Sequence, residues 1–428
     1  MSDGTKNLPI SLPKLLGGLW LGSALILSAG TAAAAGIDSQ DFSQVERGHY
    51  LSIVGDCAAC HTLPGSGHDL AGGRAIETPF GELIAPNITP DPLTGIGAWT
   101  DQEFINSLTK GTGRNGSHLY PAMPYNYYTK VTREDALAIR AYLNTVPAVQ
   151  NAVNPNQLPF PLDIRASMLV WNRVFFTPGT FRPDPNKSAE WNRGAYLTEG
   201  LGHCGACHTP KNFLGGDKTG ERLRGYTLQG WVAPDITNDQ RRGLGGWSVD
   251  EVATYLKTGH SRTGAATGLM SETVGNSTSH LSDTDLKAIA TYLKNQPGQG
   301  DNQKQDAPVV SSSPIMNTGG KIYGDECAGC HISNGRGVAG LFPALDGSSV
   351  VQQIDPTSLL HVVLRGTRGV ATQVAPTGAA MPQFGWLLND DQVAAVLTYI
   401  RNSWGNAAPA VSASEVGKAR LSFVERSD

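Results

Sequence analysis

A chain of 428 residues with a formal charge of -4 and only 16% charged side chains is long enough for about two or three domains. It lacks the long basic run that a grip on nucleic-acid phosphates requires, so no nucleic acid is expected as a partner. The 51 glycines and 26 prolines predict a loop-rich protein whose backbone turns tightly and often.

Residues 1–35 have the plan of a secretory signal: Lys6 and Lys14, an apolar stretch from Leu15 to Leu27, and a small-residue run from Thr31 to Ala35. The stretch is shorter than the roughly 20 residues that span a bilayer and is broken by Gly17, Gly18 and Gly22, so cleavage near Ala35–Gly36 is expected rather than a retained anchor. No later stretch reaches spanning length. The mature chain is therefore expected outside the cytoplasm and not across the membrane.

Residues 36–146 begin with a helical segment holding Gly48 and Tyr50, reach the pentad Cys57-Ala58-Ala59-Cys60-His61, and end on an amphipathic helix. Thr132 with Asp135 caps that helix, and Ile139-Tyr142-Leu143 forms its apolar stripe. Residues 147–190 are a Pro- and Asn-rich linker with one apolar helix-like segment, Ile164 to Phe176. There Met168, Trp171 and Phe175 share a face flanked by Arg165 and Arg173, which reads either as a helix lying among lipid headgroups or as an inter-domain packing helix.

Residues 191–297 repeat the plan with Gly194 and Tyr196, the pentad Cys204-Gly205-Ala206-Cys207-His208, and Ser282 with Asp285 ahead of Ile289-Tyr292-Leu293. A linker without periodicity covers 298–313. Residues 314–406 repeat it again with Gly320 and Tyr323, Cys327-Ala328-Gly329-Cys330-His331, and Asn389 with Gln392 ahead of Val396-Tyr399-Ile400; residues 407–428 are a tail. The stripe tyrosine follows its cap by ten residues every time, and the early glycine is expected to let its helix cross the tyrosine helix closely. The first two repeats also share Ala85-Pro86-Asn87-Ile88-Thr89 with Ala233-Pro234-Asp235-Ile236-Thr237, and Gly97-Ala98-Trp99-Thr100 with Gly245-Gly246-Trp247-Ser248; the third has Phe342-Pro343-Ala344-Leu345 instead. The expected fold is mainly α, three small helical domains on a string.

All six cysteines fall in the three Cys-x-x-Cys-His pentads. Two thiols three apart on a helical turn can each add to a haem vinyl group, and the adjacent imidazole then reaches the iron from the same side. Three disulfides would leave this spacing without a reason, zinc knuckles would have to pair, and a thioredoxin-like motif needs no following histidine. Three covalently attached haems c follow, bound through Cys57, Cys60, Cys204, Cys207, Cys327 and Cys330 with His61, His208 and His331 as axial ligands.

The second axial ligands are expected at Met123, 62 residues after His61, Met270, 62 after His208, and Met381, 50 after His331, each ahead of its tyrosine helix. Met123-Pro124 and Met381-Pro382 gain stiffness from proline; Met270 is followed by Ser271, with His260 or His280 as replacements. Met168 and Met316 are misplaced for the role. With both positions of each iron filled the chain is expected to relay electrons and to contain no catalytic residue. A haem enzyme with one open iron and a free periplasmic carrier are the competing readings. Pro343 stands where single-haem cytochromes c keep a proline whose carbonyl accepts the histidine Nδ1–H, so that bond is expected for His331.

The runs Arg47-Gly48-His49-Tyr50-Leu51, Tyr120-Pro121-Ala122-Met123-Pro124-Tyr125, Leu158-Pro159-Phe160-Pro161, Trp191-Asn192-Arg193-Gly194 with Tyr196-Leu197, and Val411-Ser412-Ala413 carry a resemblance over essentially the entire mature chain. With them, the chain resembles the three-haem cytochrome c subunit of the membrane-bound alcohol, aldehyde, gluconate and fructose dehydrogenases of acetic-acid bacteria and their relatives. The resemblance implies three tandem cytochrome c-like domains on the periplasmic side of the cytoplasmic membrane, peripheral at the membrane surface. It also implies a separate catalytic subunit, a quinoprotein, flavoprotein or molybdoprotein, as electron donor and ubiquinone as acceptor. Some relatives end in a membrane helix; residues 411–428 are too short and too charged for one.

Overall fold

The structure is a computed structural model that describes residues 42–298 and 308–423. The expected signal segment and its cleavage point lie outside the described residues, as does part of the second linker.

In the first repeat α1 (Phe42–Val54) leads into the pentad helix α2 (Cys57–His61); α3 (Asp101–Lys110) and the short α4 (Tyr125–Tyr128) follow, and α5 (Arg133–Leu143) crosses α1. The linker holds α6 (Ser167–Phe175). The second repeat runs through α7 (Ala189–Glu199), the pentad helix α8 (Gly205–His208), α9 (Val249–Thr258), α10 (Leu269–Asn276) and α11 (Asp283–Lys294), which crosses α7. The third runs through α12 (Pro314–Ile322), a wide turn over Tyr323–Cys327, the pentad helix α13 (Ala328–His331), α14 (Thr357–Arg365), α15 (Asp390–Arg401) crossing α12, and α16 (Ala413–Ser422). Strand among the described residues forms three antiparallel hairpins: β1 (Ala75–Thr78) with β2 (Gly81–Ile84), β3 (Tyr226–Leu228) with β4 (Trp231–Ala233), and β5 (Thr367–Arg368) with β6 (Ala380–Met381). The mainly-α expectation agrees with this architecture.

The expected caps form: the side chains of Thr132, Ser282 and Asn389 accept the N–H of Asp135, Asp285 and Gln392. A Cβ on Gly48 would run into the Ala138 carbonyl, and one on Gly194 into the Ala288 carbonyl. These glycines bring helix backbones together, in each case at the alanine four residues before the stripe tyrosine. In the third repeat the contact falls one residue earlier than expected: Gly319 meets the Ala395 carbonyl, whereas Gly320 faces the Tyr399 ring.

The described residues fall within one compact unit, and one hydrophobic core takes Leu51, Ile139 and Leu143 together with Leu197, Ile289 and Leu293. Carboxylates at the caps bind the first two repeats reciprocally. Arg47 Nε donates to Asp135 at 2.7 Å, while Tyr196 of the other repeat donates to the same carboxylate at 2.5 Å. Arg193 holds Asp285 with two bonds of 2.8 Å, and Tyr50 donates to it at 2.7 Å. The third repeat has its own core, including Val363, Leu364, Val396 and Ile400, and Tyr323 donates within its own repeat to the Ile332 carbonyl.

The lipid reading of the face Met168, Trp171 and Phe175 is corrected. Met168 is buried, Trp171 Nε1 donates to the Leu214 carbonyl at 3.0 Å, and its ring stands edge-on to Tyr125, while Phe175 lies against Gly216. That face packs inward because both aromatic rings find partners in the flanking repeats. The opposite face leaves Leu169, Val170 and Val174 exposed.

Candidate functional site

Each pentad helix ends on its histidine, and the three rings are held alike. Nδ1 of His61 lies 2.7 Å from the Pro86 carbonyl oxygen, Nδ1 of His208 lies 2.7 Å from that of Pro234, and Nδ1 of His331 lies 3.0 Å from that of Pro343. A carbonyl can only accept, so Nδ1 carries the proton and Nε2 keeps the lone pair that a metal ion takes. Burial lowers the pKa of all three imidazoles, against the smaller opposing effect of the proline carbonyl. The rings are thus kept in the neutral, ligating form.

The backbone is fastened as well. The His61, His208 and His331 carbonyls accept the N–H groups of Gly72, Gly225 and Gly337 at 2.7, 2.8 and 3.0 Å. All three glycines have positive φ and lie so close to the proline segment that a Cβ would strike its backbone. In the first two repeats the segment is pinned by the next side chain: Asn87 Oδ1 accepts the N–H and hydroxyl of Thr89, and Asp235 Oδ1 accepts those of Thr237. The expected Pro343 bond is present. Pro86 and Pro234 were not predicted, although the shared Ala-Pro-Asn/Asp-Ile-Thr run marked both positions.

Burial, the largest cause at each, pushes the thiols of Cys57 and Cys204 up to about 12 and that of Cys327 up to about 11. Among the described residues no three His, Cys, Asp or Glu side chains gather as a metal-ion site.

The third repeat brings its predicted site residues together. Cys327, Cys330, His331 and Met381 line one cavity of about 210 Å³ whose other walls include Phe342, Leu359, Val363, Phe384 and Leu397. Hairpin β5–β6 places Met381, opposite Thr367. A pair of thiols, a neutral imidazole and a thioether around an apolar space is the donor set of a covalent His/Met haem c, and the residues fit that group. In the first repeat Met123 and Cys57 pack against the same core, and Pro124 immediately precedes α4. Met270 lies in α10, two residues after Gly268, which packs on Trp231; α10 itself rests on α2. Neither histidine named as its replacement stands free at the second pentad: His280 Nε2 is 2.9 Å from the Gly275 carbonyl, and His260 lines the third cavity.

Residues 45–147 and 316–404 match the family described as Cytochrome c. The chain is 40% identical over 415 residues to the gluconate 2-dehydrogenase cytochrome c subunit of Pantoea cypripedii, covering 93% of this chain and 94% of the relative. It is 40% identical to the cytochrome c subunit of the quinone-type alcohol dehydrogenase of Gluconacetobacter polyoxogenes, covering 93% and 88%. It is 38% identical to the fructose dehydrogenase cytochrome subunit of Gluconobacter japonicus, covering 88% and 82%. These relatives are electron-transfer subunits of dehydrogenase complexes rather than catalytic ones, and the chain belongs to their family, the cytochrome c subunits of the gluconate, alcohol and fructose dehydrogenases of acetic-acid bacteria and their relatives.

Proposed function

We propose that the chain carries three covalent haems c, one in each of three tandem cytochrome c-like domains spanning residues 36–146, 191–297 and 314–406. It relays electrons from the catalytic subunit of a membrane-bound alcohol, aldehyde or sugar-acid dehydrogenase to ubiquinone. The observation that carries this reading is the threefold recurrence of one device, a pentad histidine whose Nδ1–H is spent on a proline carbonyl. Each haem, when bound, accepts and releases one electron at its iron. The protein's own part is to attach it through Cys57 and Cys60, Cys204 and Cys207, or Cys327 and Cys330, to offer His61, His208 or His331 on one side, and to offer Met123, Met270 or Met381 on the other. Rings fixed at both nitrogens change position little when the iron changes charge, which suits transfer.

The chain works on the periplasmic side of the cytoplasmic membrane after signal cleavage, held peripherally. No helix among the described residues is long and apolar enough to cross a membrane. The outward face of α6, with Phe160 and Phe213 as exposed neighbours in the same region and Arg165 and Arg173 on the helix segment, supports contact with a membrane surface.

The test follows the reduced haem α-band of the purified chain with ethanol, acetaldehyde, gluconate or fructose, with and without its co-expressed catalytic partner. Reduction only when the partner is present, and reoxidation by a ubiquinone analogue, are expected. Rapid reduction by a substrate acting on the chain alone would contradict the relay.

A further inference from the structure

The third cavity is not walled by the third repeat alone. His260, Thr263, Gly264, Ala265 and Thr267 of the second repeat form part of it. The segment is fastened there by the Arg262 carbonyl, which accepts the Ala344 N–H at 2.8 Å, and by the Ser348 hydroxyl, which donates to the Thr263 carbonyl at 2.9 Å. Ala344 follows Pro343, whose carbonyl holds His331. The second repeat is thus tied to the backbone that orients the third pentad's histidine.

Within this wall the Nε2 of His260 is closed off from water and has no hydrogen-bond partner among the described residues. The ring lies against Gly369, where a Cβ would stand 3.1 Å from His260 Cε1, beside the hairpin that carries Met381. Buried ring nitrogens are almost always paired, and one left open points to a partner not made of protein. The cavity it borders is otherwise mainly apolar, and haem c brings to such a space two propionate carboxylates, which accept hydrogen bonds.

We propose that His260 Nε2–H donates to a propionate of the haem held by Cys327, Cys330 and His331, so that a side chain of the second repeat positions the third haem and sets its potential. The proposal rests on the reading that the third pentad binds haem. A donor on the propionate offsets negative charge that favours ferric iron; removing it lowers the midpoint of that haem.

The experiment is a spectroelectrochemical titration of the mature three-haem protein as wild type, His260→Ala, His260→Gln and Met381→His. With His260→Ala, one midpoint falls, the same one that Met381→His displaces, while the other two stay in place and the haems remain low-spin. His260→Gln, which keeps an N–H donor, recovers most of the shift. Unchanged midpoints in His260→Ala, a shift shared by all three haems, or an equal shift in His260→Gln would overturn the proposal. Loss of a low-spin haem in His260→Ala would overturn it in favour of His260 as an iron ligand. A wild-type chain with no haem at Cys327 and Cys330 would instead remove the reading beneath it, so the two failures are told apart.

Discussion

At the scale of single residues, the clearest charge chemistry is Asp285. Burial alone would raise its pKa, but the hydrogen bonds from Arg193 and Tyr50, together with the Arg193 charge, pull it below the ordinary carboxylate value. A carboxyl depressed in the folded state stabilises the fold above its unfolded pKa of about 3.9, and that contribution is lost as pH falls through the lower folded value. Asp285→Asn is therefore expected to cost roughly 3 kcal/mol at pH 7, since it leaves the Arg193 guanidinium without its anion and weakens the Tyr50 bond. The gap to wild type should narrow below about pH 4. Denaturant midpoints of both proteins from pH 7 downward check this; a gap constant through the acid range would contradict it. The sequence marked Asp285 as a cap residue, which it is, but its two partners lie 92 and 235 positions away. Nothing local announces them.

At the scale of elements, the caps and stripes that begin α5, α11 and α15 were legible because a capping pair and a helical stripe are local patterns. The other repeated mark, Trp99-Thr100 and Trp247-Ser248, was legible only as a repeat. In the structure Thr100 and Ser248 are the caps of α3 and α9, closed by reciprocal bonds with Glu103 and Glu251. The tail holds another such box, Ser412 with Glu415, that starts α16. All three boxes could have been found from spacing alone. The glycine crossing was legible in kind but not in register for the third repeat, since Gly319 and Gly320 stand side by side and only the packing separates the one at the Ala395 carbonyl from the one at the Tyr399 ring. The crossing gives a paired expectation: Gly319→Ala drives a methyl into the Ala395 carbonyl and costs about 1–3 kcal/mol, whereas Gly320→Ala meets only the Tyr399 ring edge at 3.1 Å and costs less. Thermal unfolding of the two variants decides; equal losses, or the reverse order, would assign the crossing to Gly320.

At the scale of the whole molecule, three similar repeats are joined in two different ways. The first two exchange tyrosine hydroxyls across their caps and share a core. The third meets the second through the 260–267 wall and through a stack in which His361 lies between Trp231 and Phe423, with ring centroids 4.1 and 4.4 Å apart. Periodicity reports what each segment contains, whereas packing between segments depends on surfaces that no single repeat displays. The candidate ligands were legible for the same reason, because Cys-x-x-Cys-His binds through neighbours in sequence, while the proline carbonyls that orient the first two histidines lie 25 and 26 residues away. The central claim, one covalent haem per pentad, is tested most directly by the intact mass of the exported chain after acid–acetone extraction. The account predicts the polypeptide cleaved near Ala35 plus three haem additions that survive extraction. A mass short of three additions, or haem released into the acetone, would contradict it.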